Sequence, residues 1–553
     1  MSVLPPSTRS IILVEFMERY AYYAFRSVLV SFFVDKLLFP ESSAISAFMY
    51  TSALAYFTPL AGGLLSDALL GKYLTIKIFS TVYVAGLALL SFGAFTLSAA
   101  CVFLGLLLIG VGTGGIKPCV SSFGADQLKY VKSPTGEISP APSSSSSSMR
   151  LYFSAFYFAI NVGALLSYIF SPLAKHYMGY GFAFLFPAIF MAAALAVLVN
   201  SKPSYVVIKP DPSAPTSPVA VILRILMAAT TDLLTSCGRS SSTAPRSFLD
   251  RATRSSSSTI NQAEVADAKD FFRTIKFVLL MPLFWMLFDQ QGSAWVLQAK
   301  RMDVPGWLEA EQLGVCNTGF VLVLLPIMEK KVYPWLSSIG REPTPLRRMG
   351  LGMFFGGASF IVSALVETSI QNSPPHSVPV FIQLPQYLIL TIGEIGVSTT
   401  GLEVRSKLEH AQPSLRSSSP LSLALAQFFY EEAPPSMRTA SASLFLLTTA
   451  MGDVMGGLLY DIAGALGISN AALLYFCGFT MFVATAVFIA FARTYRYRAS
   501  ERGRRSDDDG DEGDVQLSLV GKGRDLDSDV DMMEGDQEGR GMNFQRIADD
   551  NQT

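Results

Sequence analysis

Twelve stretches of this chain are apolar over about 20 residues, the length a helix needs to cross a bilayer. They lie near 11–34, 45–66, 74–97, 99–122, 151–173 and 180–199, then near 274–297, 311–336, 349–367, 379–402, 439–461 and 468–492. No other feature constrains the fold as much. In hydrocarbon every backbone N–H and C=O must find its partner inside the protein, and a single apolar segment achieves that as a helix. Composition agrees: of 553 residues, 50% are hydrophobic and 15% charged, and the mean hydropathy is +0.39. A soluble chain could not hide that much apolar surface. The expected class is an all-α membrane protein of 12 transmembrane helices in two six-helix bundles, 1–199 and 273–493. The stretch 200–272 is rich in Ser and Pro, carries Arg239, Arg246, Arg251 and Arg254, and reads as a disordered linker. Its end, Asn261–Arg273, is polar with helical spacing and reads as a short surface helix. The tail, 494–553, is acidic and polar after Ser506 and reads as disordered.

Loop charge sets the expected orientation. Positive residues gather in alternate loops: Lys72 and Lys77; Lys129, Lys132 and Arg150; the central linker; Arg341, Arg347 and Arg348; Arg438; and Arg493, Arg496 and Arg498. The loops between them hold few, chiefly Lys36, Lys175, Lys300 and Arg301. By the positive-inside rule both termini and the linker are cytoplasmic. The first apolar run lacks a basic leader and a cleavage site, so it reads as a retained helix. Two six-helix halves joined by a cytoplasmic linker are the layout of the major facilitator fold, with its substrate site near the midplane between the halves. Five cysteines show no paired spacing: Cys101, Cys119, Cys316 and Cys477 sit in apolar runs and Cys237 in a Ser-rich loop. Neither a disulfide framework nor a metal site is expected. Membrane lipid is the expected surrounding, nucleic acid is not an expected partner, and the chain is expected to work as a monomer.

The first run contradicts its own hydrophobicity. Glu15, Glu18, Arg19, Tyr22 and Arg26 fall on one helical stripe, with Tyr23 on its flank. Glu15 and Arg19 are i,i+4 neighbours and can pair. Charges inside a span are costly and mark a pathway or a buried ion cluster. A carboxylate that loses its arginine in a low-dielectric site holds a proton more tightly, so a proton-coupled switch is possible there. Lys117 also lies in a span, followed by Pro118 and preceded by Gly112, Gly114 and Gly115. The glycines suit close helix packing, whereas the lysine needs a partner from another helix, expected to be Glu394 in the substrate-free state.

The run Glu15-x-x-Glu18-Arg19-Tyr-x-Tyr22-Tyr23 resembles the ExxERFxYY signature of the proton-coupled oligopeptide transporter family. Gly112-Thr-Gly-Gly-Ile-Lys117-Pro through Asp126-Gln127 is similar to that family's fourth-helix motif, and Phe156-Tyr157-x-x-Ile160-Asn161-x-Gly163 to its fifth. Phe284-Trp-x-Leu-Phe-Asp289-Gln290-Gln291-Gly292-Ser293 resembles helix 7 of the animal members. Leu384-Pro-Gln-Tyr387 through Glu394, then Gly401-Leu-Glu403, resembles helix 10. Gly63-x-x-x-Asp67 with Gly71-Lys72 resembles the facilitator loop between helices 2 and 3, read as a conformational latch.

The resemblance implies a proton-coupled symporter of di- and tripeptides working by alternating access, with no cofactor beyond the coupling proton. It implies that Arg19 and Lys117, with Arg26 nearby, hold the peptide carboxylate and that Glu394 meets the free amine. Asn161 and Asn317 would hold the peptide backbone, and Tyr22, Tyr23 and Tyr56 would line the wall. A zwitterionic peptide needs such a cation and anion held apart, and the guanidinium fork suits the carboxylate end.

The three histidines, His176, His376 and His410, avoid the span centres, and the position that is histidine in mammalian members corresponds to Met49. The expected proton carriers are therefore Glu15, Glu18 and Glu394, then Asp289 and Glu329. Ala294, Phe445 and Ala24 depart from arginine, tryptophan and glycine of the family pattern. Val404–Gln427 interrupts the pattern between helices 10 and 11; deleting it restores the register, so it reads as an insertion or a retained intron. The competing readings are a family member for nitrate, an amino acid or an organic anion, and a non-transporting sensor. An enzyme is not expected, since no nucleophile–base pair or metal cluster is visible. The choice between a plasma and a vacuolar or lysosomal membrane stays open.

Overall fold

The computed structural model describes residues 4–132, 138–140, 146–208, 224–231, 248–253, 262–341, 343–398 and 438–495. The insertion 404–427, the tail beyond Tyr495 and most of the central linker lie outside the described residues.

The first half contains α1 (Pro6–Asp35), α2 (Glu41–Leu65), α3 (Lys72–Thr96), α4 (Ala99–Ile116), α5 (Val120–Lys129), α6 (Ser146–Met178) and α7 (Tyr180–Asn200). After it come α8 (224–231) and α9 (Gln262–Val278). The second half contains α10 (Met281–Phe288), α11 (Ala294–Lys300), α12 (Gly314–Ile327), α13 (Tyr333–Ser338), α14 (Pro345–Gln371), α15 (Leu384–Ser398), α16 (Arg438–Leu466) and α17 (Asn470–Thr494). Local chemistry explains several starts. Pro6 opens α1 with a preset φ. Ser98 caps α4 by accepting from the Cys101 N–H, and Ser469 caps α17 by accepting from that of Ala472. A short antiparallel pair, Tyr130–Lys132 with Ile138–Pro140, follows α5.

Among the described residues nine helical segments are long and apolar enough to cross a membrane. Their windows are only 28–61% buried, and the exposed remainder is apolar, including Phe103, Leu104, Leu107, Phe476, Phe479 and Val483. Lipid, not water, is the solvent that suits such faces. α1 fails the same test because of Glu15, Glu18, Arg19 and Arg26. The seventh expected span is broken into α10 and α11 by a 3-10 turn, Asp289–Gly292.

Two breaks matter for function. α4 stops at Ile116 because Pro118 cannot donate into the ladder, and Lys117 sits at the joint before α5. The Asp289–Gly292 turn makes the second. Close packing holds the first of them, and it also joins α14 to α15. A Cβ on Gly62 of α2 would lie 2.3 Å from the Gly114 carbonyl oxygen of α4, so only glycine allows that approach. A Cβ on Gly352 of α14 would lie 2.5 Å from the Gly393 carbonyl oxygen of α15.

The two halves meet where α2 packs on α16, α6 on α12, and α1 on α11. Ion pairs close one end of this junction, the face bearing the loops after α1, α6, α11, α14 and α16, called distal here. Lys300 reaches Asp35 at 2.5 Å, and Lys175 reaches Glu309 at 2.9 Å and Glu311 at 2.7 Å. Ser31 donates to Glu311 at 2.5 Å and Asn470 to Glu41 at 3.0 Å, while within the second half Arg301 pairs with Glu367 at 2.7 Å. At the opposite, near end Lys72 meets Asp126 at 2.6 Å, joining α3 to α5 within one half. This pair lies beside Gly71, whose φ of 74° demands glycine, in the loop read as a latch.

The central stretch departs from the expected disorder. Besides α9, residues 224–231 and Phe248–Thr253 are helical. Ile225, Ala229, Leu249, Ala252, Val265 and Ala268 form a small apolar cluster, with Leu444 of α16 packed against it. Ser- and Pro-rich composition hid these short apolar contacts.

Candidate functional site

The polar stripe of α1 faces inward. Arg19 Nε lies 3.0 Å from Glu15 Oε1 and 2.5 Å from Glu18 Oε2, and all three side chains are buried. The expected i,i+4 pair is present, and Glu18 joins it. Two carboxylates thus share one guanidinium, leaving a negative charge that a proton or another cation must match. Lys117 lies within electrostatic reach of both acids.

Lys117 does not meet Glu394, contrary to expectation. Its Nζ donates to the Ala55 carbonyl at 3.2 Å and stands 3.9 Å from the Tyr56 ring centre and 4.5 Å from that of Tyr22. The break at Pro118 points it toward α1 and α2, and two aromatic faces cradle the ammonium.

Arg26 is occupied as well. It lies 2.6 Å from Asp289 Oδ2 and 4.8 Å above Phe48. A residue expected near the peptide carboxylate and one expected to carry protons are therefore partners. The approach is close but not aligned as a hydrogen bond, so it is a charge contact. It ties α1 of the first half to the broken helix of the second.

Glu394 faces the interior on α15. Asn317 Nδ2 of α12 donates to Glu394 Oε2 at 2.9 Å and to Thr391 Oγ1 at 3.1 Å. Asn161 donates to the Tyr157 carbonyl on its own helix at 2.9 Å, so its amide is turned locally. Tyr157 stands within electrostatic reach of Glu394 and Glu329. Glu329 occupies a π turn, Met328–Val332, beyond Pro326. Twelve residues, about 18 Å of helix, separate it from Asn317.

Between the basic and acidic ends lies a tyrosine lattice. Tyr22 meets Tyr23 edge-on at 5.4 Å, and Tyr23 meets Tyr168 at 6.0 Å. Sequence reasoning missed Tyr168, although it lies seven residues after Asn161 and hence on the same face of α6. It also missed Asp453, a fully buried acid in the apolar run of α16. A charge near the middle of a span was the available signal. Met49 is buried at the α2–α16 contact, where a Cβ on Gly456 would lie 2.2 Å from its sulfur. Ala294 is part-buried against the core of the first half. The Phe445 side chain and Glu403 lie outside the described residues.

Comparison with known proteins follows this geometry. The family model described as "POT family" matches residues 73–420. "Peptide transporter family 1" of Drosophila melanogaster is 36% identical over 391 residues, covering 68% of this chain and 49% of that protein. "Solute carrier family 15 member 2" of Rattus norvegicus is 32% identical over 437 residues, covering 76% and 56%. The chain thus spans about half the length of the curated relatives it matches. Among solved structures, that of "the POT family transporter PepTSo" superposes with a TM-score of 0.72 at 26% identity. It covers 89% of this chain and 98% of that one. An "auto inhibited POT family peptide transporter" gives 0.71 at 28%, with the same coverages. The breadth of the family match, together with relatives of more than 30% identity over two thirds of the chain, establishes that this chain belongs to the POT family.

Proposed function

We propose that this protein is a proton-coupled symporter of di- and tripeptides that works by alternating access. The observation carrying this reading is the separation of charge across the tyrosine lattice. Arg19 and Lys117 supply cations in the first half, and Glu394, held by Asn317, supplies an anion in the second. A peptide has a carboxylate at one end and an ammonium at the other, and this arrangement matches both. Asn161, Tyr22, Tyr23 and Tyr56 are assigned to the peptide between its ends. Arg26 acts through Asp289 rather than on the substrate.

Protons ride on carboxyl groups in this reading. Glu15 and Glu18 share Arg19, so binding of a peptide carboxylate to Arg19 leaves them competing for less positive charge. Protonation of one relieves that competition. In this reading the distal face, held by its ion pairs, is the closed side of the alternating-access cycle and the near face is the cytoplasmic side. A POT-family protein redirected to nitrate or another inorganic anion would have no use for Glu394, which favours the peptide.

The test is uptake of radiolabelled dipeptide by proteoliposomes at two external pH values. Proton-dependent uptake that fails in Lys117→Ala and Glu394→Ala supports the proposal. Uptake indifferent to the gradient removes proton coupling, and absence of dipeptide uptake removes the substrate assignment.

A further inference from the structure

Asp453 is a carboxyl that the mechanism above leaves unused. It is fully buried, and neither oxygen takes a hydrogen bond from a donor among the described residues. Packing directs it inward. A Cβ on the adjacent Gly452 would stand 2.5 Å from the Pro282 carbonyl oxygen and 2.9 Å from the Met286 nitrogen, so α16 lies directly on the backbone of α10. About two turns further along α16, Tyr460 donates to Gln290 Oε1 at 2.7 Å, pinning the same register against the broken helix. This approach brings the Asp453 carboxyl against that of Asp289. Asp289 is already held by Arg26 at 2.6 Å, so two carboxyls face one guanidinium.

The other charged and titratable groups around the pair are few. α1 offers Tyr22 and Tyr23 besides Arg26, α6 offers Tyr168 near Asp289, and Lys117, at the end of α4, lies within electrostatic reach of Asp453. α2 offers Tyr56, near Asp289, and Tyr50, whose hydroxyl is committed to Asp461 at 2.7 Å. α9 meets α16 at Leu444, nine residues or about 13 Å along the helix from Asp453. Two ionised carboxylates in contact inside a low-dielectric site repel strongly, and the arrangement is relieved when one carries a proton and donates it to the other.

We propose that Asp453 is a proton-carrying residue of this transporter. With Asp289 it forms an acid pair that holds one proton on the Arg26 bridge between the two halves. The inference rests on the proton-coupled reading above and adds a carrier to it. The step is a proton transfer without change of oxidation state. A proton from water on the distal side forms an O–H bond to one carboxylate oxygen, and the pair shares it with one net negative charge, matched by Arg26. When water from the near side hydrates the pair while Arg26 still faces it, the O–H bond breaks and the proton leaves to that water.

Asp453→Asn preserves the shape of the protonated acid but cannot release a proton. The experiment compares accumulation of radiolabelled dialanine in proteoliposomes under an imposed proton gradient with counterflow of the same peptide without one. The wild type, Asp453→Asn and Asp453→Glu are measured together. With an imposed gradient of about one pH unit, loss of one coupled proton should lower the ratio of driven accumulation to counterflow roughly tenfold for Asp453→Asn, with recovery in Asp453→Glu. An unchanged ratio in Asp453→Asn beside a coupled wild type overturns the role of Asp453 and leaves the proposed function standing. A wild type indifferent to the gradient overturns both. If the amide variant does not fold, Asp453→Thr, equally unable to carry a proton, decides by the same ratio.

Discussion

In the proposed function Glu394 and Lys117 divide the recognition of a peptide between the two halves, and each is poised by different chemistry. Asn317 donates to Glu394 at 2.9 Å, orienting the carboxylate while leaving it free to accept from an ammonium. Glu394→Gln keeps the size and removes the charge. A lost charge-assisted hydrogen bond costs about 1.5–3 kcal/mol, so KM for a dipeptide should rise roughly ten- to a hundredfold. The same substitution should leave the KM of an N-acetylated dipeptide nearly unchanged, since that ligand brings no ammonium; competition uptake with both ligands reads the difference. At this scale the sequence disclosed local partners and concealed distant ones. The Glu15–Arg19 contact follows from an i,i+4 spacing. Arg26–Asp289 spans 263 positions, and Lys117 turned to Ala55 and two tyrosines instead of Glu394. Spacing along one helix cannot report which neighbouring helix its residues face.

Breaks in helices, more than the helices themselves, place the chemistry. Pro118 frees Lys117 at the end of α4, and the Asp289–Gly292 turn presents Asp289 to Arg26 and Gln290 to Tyr460 between α10 and α11. Interrupted spans are where backbone and side-chain polar groups become available at midplane depth. Their precision depends on close contact between elements. In Gly62→Val the new side chain would collide with the Gly114 carbonyl, parting α2 from α4 near Lys117. Overpacking of this kind costs about 1–3 kcal/mol, and the variant should lose thermal stability in detergent and lose uptake together. A mild substitution on the lipid face, such as Leu107→Val, should do neither, because that side chain is exposed. The apolar runs were legible in the sequence, with ends uncertain by several residues. The ordered pieces within the central stretch were not, because their few apolar residues are diluted by serine and proline.

Across the whole molecule the distal ion pairs join the two halves, and in the proposed cycle they would set which face is closed. Glu311 is fully buried and takes Lys175 through both oxygens, at 2.7 and 2.8 Å, while Glu309 also holds that lysine. Glu311→Ala should destabilise the latched state by on the order of 2 kcal/mol, less than the full cost of breaking a buried pair because Glu309 remains. Electron spin distance measurements between labels at Leu38 and Trp307, both exposed distal residues, should show a larger distal-open population. Asp35 sets the pH behaviour of the outer part of this latch, just beyond the first span. Burial would raise its carboxyl, but the Lys300 ammonium and the Tyr180 hydroxyl prevail and hold it below its ordinary value of 3.8. Its contribution is therefore complete above that value and is lost only as pH falls through the lower, latched-state value. Between about pH 7 and about pH 5 the Asp35–Lys300 contact should hold unchanged. Any shift in the label distances of an Asp35→Asn variant over that interval should match the wild type.

The sequence by itself determined that the chain crosses a membrane as helices, that it carries charges too costly to be incidental, and that its motifs follow one family in order. Those properties are local: hydrophobic length, helical periodicity and short motifs are written in neighbouring residues. Only the tertiary structure decided that Arg26 belongs to Asp289, that Lys117 rests on Tyr56 and Tyr22, and that Asp453 joins Asp289 in the core. Those pairings depend on which helices pack and in what register, and packing sums contacts among residues hundreds of positions apart.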